Sequence, residues 1–104
     1  MRTETQSFLV RSATPPIVEV DSQAPAVYVR FKRAPVAKTV PLQCEPVHVA
    51  VDLDNKDEVI GIEVVGMSEF SIRTIELILK QVSVEAPNVD FSRAQYVPAG
   101  MAAA

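Results

Sequence analysis

A chain of 104 residues with 48% apolar content has material for one hydrophobic core and no room for a second domain. Its charged fraction of 22% and formal net charge of -3 are the opposite of the basic balance that neutralises phosphates, so nucleic acid is not an expected partner. No stretch approaches the roughly 18 apolar residues of a membrane span, and MRTETQSFLVRS has no apolar signal-peptide centre, so no membrane partner is expected and the expected location is the cytoplasm.

In chain order, residues 1–16 are polar, aperiodic and end in Pro15-Pro16, which predicts a mobile arm. The domain is expected over residues 17–97, with a frayed tail over 98–104. VEVD and AVYVRF, separated by the turn-like SQAP, predict a first hairpin. In its second strand Val27, Val29 and Phe31 alternate with Tyr28, Arg30 and Lys32, giving one buried face and one polar face. Arg30, Lys32 and Arg33 read as a solvated strand end. APVAKTVPLQCEP, at 34–46, holds Pro35, Pro41 and Pro46 and predicts a connecting loop with at most a short edge strand near Val36 to Val40. Cys44 is the only cysteine, so it forms neither an internal disulfide nor a cysteine-cluster zinc site. The neighbouring Glu45 opposes thiolate formation, which argues against a nucleophile.

VHVAVDL and EVIGIEVV flank DNKD and predict a second hairpin. Placing Leu53 opposite Glu58 pairs Val51 with Ile60, Val49 with Ile62 and Val47 with Val64 on one face. The other face then pairs His48 with Glu63, Ala50 with Gly61 and Asp52 with Val59. Within this hairpin, DLDNKDEVIGIE matches the length of an EF-hand calcium loop. Lys56 nevertheless replaces a ligand oxygen, Asp57 replaces the turn glycine, and strands rather than helices flank the loop. What survives is a weak candidate cation site of Asp52, Asp54 and Asp57, against the plainer reading of a solvated acidic turn. Beyond Gly66 the period changes: Ile72, Ile75, Ile78, Leu79 and Val82 recur at helical spacing, with Ser68 or Ser71 as cap. Phe91, Tyr96 and Val97 are spaced for one further short element, such as an added strand.

An aspartate before a turn, AVYV at 26–29, VDLD at 51–54, and GIEV at 61–64 followed by Ser68 together resemble the family known as domain of unknown function 2283. The resemblance spans about residues 18–68. It departs from the family pattern at Pro25, where an acid is usual, and at Asp57, where a glycine is usual; aspartate tolerates a left-handed turn. It implies a small sheet with a helix, a cytoplasmic setting, no assigned catalytic or cofactor-binding residues, and an antitoxin-like or other partner-binding role.

The expected fold is α+β: a mainly antiparallel sheet of about four strands in two hairpins, with one amphipathic helix packed on one face. The expected function is non-enzymatic, in an interaction module that homodimerises or binds a partner protein through the sheet face or a strand edge, with no cofactor. Tyr28, Arg30, His48 and Glu63 are its candidate polar-face residues. Ala50, Val59, Gly61 and Val65 make that face less polar than one turned fully to water. The rival is a small acid-base or metal-dependent enzyme using His48 beside Glu63. It lacks a nucleophile and a second histidine.

Overall fold

A computed structural model describes residues 7–99. Its main sheet uses β2 (Ile17–Asp21), β3 (Ala26–Arg30), β4 (Lys38–Cys44), β5 (Val47–Leu53), β6 (Val59–Val65) and β8 (Gln95–Pro98), in the spatial order β4-β5-β6-β3-β2-β8. Every neighbouring pair is antiparallel except β2 with β8, which run parallel. A parallel two-stranded ribbon joins β1 (Phe8–Leu9) to β7 (Val84–Glu85). One helix, α1 (Ile72–Gln81), follows the sheet. The α+β class with a mainly antiparallel sheet and one packed helix is therefore as expected, with six strands instead of about four.

The alternation of the sequence sets the core. Val18, Val29, Ile62, Val51 and Val40 form one transverse row across five strands, and Val20, Val27, Val64, Val49 and Leu42 form the next. These side chains meet Ile75, Ile78 and Leu79 of α1 in one cluster. Ser71 caps the helix, its Oγ accepting from the Thr74 amide at 3.2 Å. Such a cap contributes about 1 kcal/mol. At the other end Ser83 takes a left-handed φ of 63°, and its amide donates to the Lys80 carbonyl at 3.2 Å.

The ends of the chain are used more fully than the sequence indicated. Of the stretch expected as an arm, residues 1–6 lie outside the described residues. Phe8 and Val10 are buried in the core, with Phe8 paired to Val84. A polar segment can carry two anchoring apolar residues without any period to announce them. At the other end β8 is the added strand expected of the tail, and the Ala99 amide donates to the Val20 carbonyl. Phe91 meets Phe31 edge to face with ring centroids 6.2 Å apart, and the Tyr96 hydroxyl donates to the Phe70 carbonyl. Both aromatics belong to the helix side, so the tail through residue 99 reinforces the core. The remaining tail residues lie outside the described residues.

Two expectations about the strands need correction. Residues 38–44 form a seven-residue edge strand, longer and later than the short edge strand near Val36 to Val40 allowed within the expected loop, with Pro41 opposite Ala50. A proline is tolerated there because an edge strand has a side on which a missing donor loses no ladder bond. The second hairpin is also two places out of the expected register. Asp54, not Leu53, faces Glu58 across the turn, since the Asp54 amide donates to the Glu58 carbonyl. A β-bulge then intervenes, with Leu53 paired to Val59 and Asp52 to Gly61, so Ile60 is the extra residue. Each step is a one-residue slip, and the two together restore every later side chain to its expected face. Val59 changes sides and joins the core cluster, whereas Ile60, expected opposite Val51 on the core face, is buried outside that cluster.

Candidate functional site

The second face of the sheet follows from the same register. One row runs Ile17, Arg30, Gly61, Asp52, Thr39, the next Glu19, Tyr28, Glu63, Ala50, Pro41, and a third Ala26, Val65, His48, Gln43. Tyr28, Arg30, His48 and Glu63 thus share one face. Tyr28 and Glu63 are direct cross-strand neighbours. The predicted His48–Glu63 pair does not form: His48 lies between Gln43 and Val65, and Glu63 between Ala50 and Tyr28. The two-place register shift makes them diagonal neighbours.

Tyr28 organises the face. Its hydroxyl donates to Asp52 Oδ2 at 2.9 Å, two strands away, while Thr39 donates to Asp52 Oδ1 at 2.6 Å. To reach Asp52 the phenol ring crosses Gly61, where an added Cβ would stand 2.5 Å from the hydroxyl. Glycine in the middle of a strand is thereby explained: it is the slot under the ring. Arg30 donates from Nε at 3.0 Å and Nη2 at 2.8 Å to one oxygen of Glu19, and its guanidinium lies 5.1 Å from the Tyr28 ring centroid. Burial, then the hydrogen bond to Asp52, pushes the Tyr28 phenol well above the ordinary tyrosine range. Tyr28 is therefore a protonated donor at neutral pH, suited to holding structure and not to accepting protons.

The three aspartates proposed as a weak cation site are divided among separate partners. Asp52 serves Tyr28 and Thr39. Asp54 Oδ1 accepts from the Lys56 and Glu58 amides, each at 2.9 Å, and its Oδ2 accepts from Lys32 at 2.6 Å. Lys32 also donates to Glu58 at 2.9 Å. The Lys32 ammonium and then these amides hold the Asp54 carboxyl down at about 2. Asp57, at a φ of 63°, reaches Lys38 at 3.2 Å on the exposed rim. No group of three metal-ligating side chains stands together among the described residues.

A cleft of about 420 Å³ opens over the β4–β5–β6 half, bordered by Pro41, Glu45, His48, Ala50, Glu63 and Val65. His48 and Glu63 are exposed, whereas Ala50 and Val65 are half-buried beside them. Cys44 donates its S–H to Gln81 at 3.3 Å and so engages the helix side. Sequence reasoning missed Glu19 and Thr39. The alternation Val18, Glu19, Val20 already placed Glu19 on the Tyr28 face, and Gly61 was the one signal that a ring lay across the strand.

No helix among the described residues is long and apolar enough to cross a membrane. The profile of the family described as "Protein of unknown function (DUF2283)" matches residues 17–68, from β2 to the approach to α1. No curated protein and no solved structure matches the chain. The match takes in the first five strands of the main sheet, with Tyr28, Arg30, Asp52, Gly61 and Glu63 among its residues, and it shows that the chain belongs to this family.

Proposed function

We propose that this protein is a non-enzymatic, cytoplasmic interaction module that engages another protein chain through the polar face of its sheet, an activity that includes an antitoxin-like role. The observation that carries this reading is the state of that face. Tyr28, Arg30, Glu19, Asp52 and Thr39 hold one another in place, while Pro41, Gln43, His48 and Glu63 stand exposed around half-buried Ala50 and Val65. A rigid polar frame around a small apolar centre loses little side-chain freedom on binding, and it matches the anatomy of non-obligate interfaces.

The strand edges are poorer surfaces. β4 carries Pro41 at its centre and β8 ends in Pro98. Proline has no amide to give an incoming strand, and it commonly guards sheet edges against such pairing. The acid-base reading has no comparable support, since His48 faces Gln43 and Val65 instead of a carboxylate.

Affinity capture with the wild-type chain, Ala50→Arg and Glu76→Lys tests the proposal, with sedimentation of each free protein alongside. Glu76 is exposed on α1 and serves as the control. A stoichiometric protein, or a second copy, held by wild type and Glu76→Lys but lost with Ala50→Arg is the expected result. A strict monomer that captures nothing, or capture indifferent to Ala50→Arg, would overturn it.

A further inference from the structure

We infer that the β4–β5–β6 half of the polar face receives a cationic segment of another protein, with an arginine or lysine side chain entering the cleft beside Glu45, His48 and Glu63. The inference rests on the interaction reading above and adds the chemistry of the partner.

Charge is its first ground. Among the described residues, the paired rows of this face carry the carboxylates of Glu19, Asp21, Asp52 and Glu63 against Arg30, which is already joined to Glu19, while Lys32 just beyond β3 is joined to Asp54 and Glu58. Asp52 is satisfied by neutral hydroxyls, which leave its charge in place. Glu45 and Glu63 are both exposed, and among the described residues neither carboxylate receives a hydrogen bond or an ion pair. A partner covering this surface must compensate those charges, because a desolvated carboxylate without a cation is strongly unfavourable. A second copy docking by the same face would bring carboxylates against carboxylates, and phosphates would fare no better.

Shape is the second ground. Long basic side chains need an apolar surface for the stem and an acid for the head. The cleft offers Pro41, Ala50 and Val65 for the first, and Glu45 and Glu63 at its border for the second. Three strands of seven residues, at about 4.8 Å spacing and about 3.3 Å rise, make a strip roughly 10 Å by 23 Å. That strip suits one peptide segment better than the broad surface of a globular domain.

The test is an amide-resolved NMR titration of the full chain with three twelve-residue peptides of Gly and Ser: one with four arginines, one with four glutamates, one uncharged. The arginine peptide should saturably move His48, Ala50, Glu63 and Val65. Glu63→Lys should weaken it on the order of tenfold, with Glu63→Gln intermediate and Glu76→Lys nearly unchanged. Equal losses in Glu63→Lys and Glu76→Lys, with shifts spread over the surface, would reduce the effect to general charge attraction and overturn the inference. If the face answers to the uncharged or acidic peptide, or to raised protein concentration, and not to arginine, the cationic assignment fails while the interaction reading stands. If no peptide and no second copy moves those amides, both fall.

Discussion

The two faces of one sheet are built from alternating residues of the same strands, yet they are held by different forces. On β6, Ile62 is wholly buried against the core, while its neighbour Glu63 stands exposed. The apolar face is joined by area removed from water, which is non-directional and tolerant of partner exchange. The polar face is joined by hydrogen bonds of fixed geometry from Tyr28, Arg30 and Thr39, each with one usable partner. The first face therefore carries stability, and the second keeps a defined pattern at the surface.

Truncating those two neighbours should separate the faces most widely. Ile62→Ala is expected to cost about 2–5 kcal/mol in urea unfolding, because its site is wholly enclosed. Glu63→Ala should stay within about 0.5 kcal/mol. Comparable losses would mean the faces are not distinguished in this way. Gly61→Ala comes next, at about 1–3 kcal/mol, since its Cβ would strike the Tyr28 ring. Absorbance titration should then show the Tyr28 phenol falling back toward 10.0 as it leaves Asp52; an unmoved titration would place the ring elsewhere.

Tyr28→Phe should cost about 1–2 kcal/mol by removing a hydrogen bond to a charged acceptor. Its alkaline signature is more specific. Because the phenol is raised in the folded protein, the unfolded chain releases that proton first, and stability falls as pH rises above 10.0. Removing the tyrosine should flatten that part of the curve. The last effect belongs to Asp54, whose carboxyl is depressed from 3.8 to about 2. Its contribution is present above pH 3.8 and lost as pH falls toward 2, so Asp54→Asn should remove that portion of the acid slope. An unchanged slope would contradict the Lys32–Asp54 contact.

These contrasts also explain what the sequence disclosed. Period-two alternation in β3, β5 and β6, and the helical period of α1, were legible because burial imposes them directly. The register of β5 against β6 was not, since sliding one valine and isoleucine row past another by two places still gives Val51 and Val49 apolar partners, Ile62 and Val64 in place of Ile60 and Ile62. The bulge at Ile60 and the Asp54 turn that set it are local backbone geometry with no periodic trace. β4 was hidden by Pro41 within it and by Pro35 and Pro46 on either side, and Phe8 and Val10 by the polar residues around them. On the polar face, shared orientation could be read for Tyr28, Arg30, His48 and Glu63. Which of them touch could not, because the contacts depend on that register and on Gly61 admitting a ring.

The central claim is that the polar face is open in the free protein and is the surface a partner covers. Methyl NMR with a soluble gadolinium chelate tests it by comparing Ala50 and Val65 with Val29, Val51 and Ile62. In the free chain the first pair should relax strongly and the core three weakly. Saturating arginine peptide should then protect Ala50 and Val65 and leave the core three unchanged. Protection of Ala50 and Val65 already present in the free monomer would contradict the claim, because the face would then be covered by the chain itself.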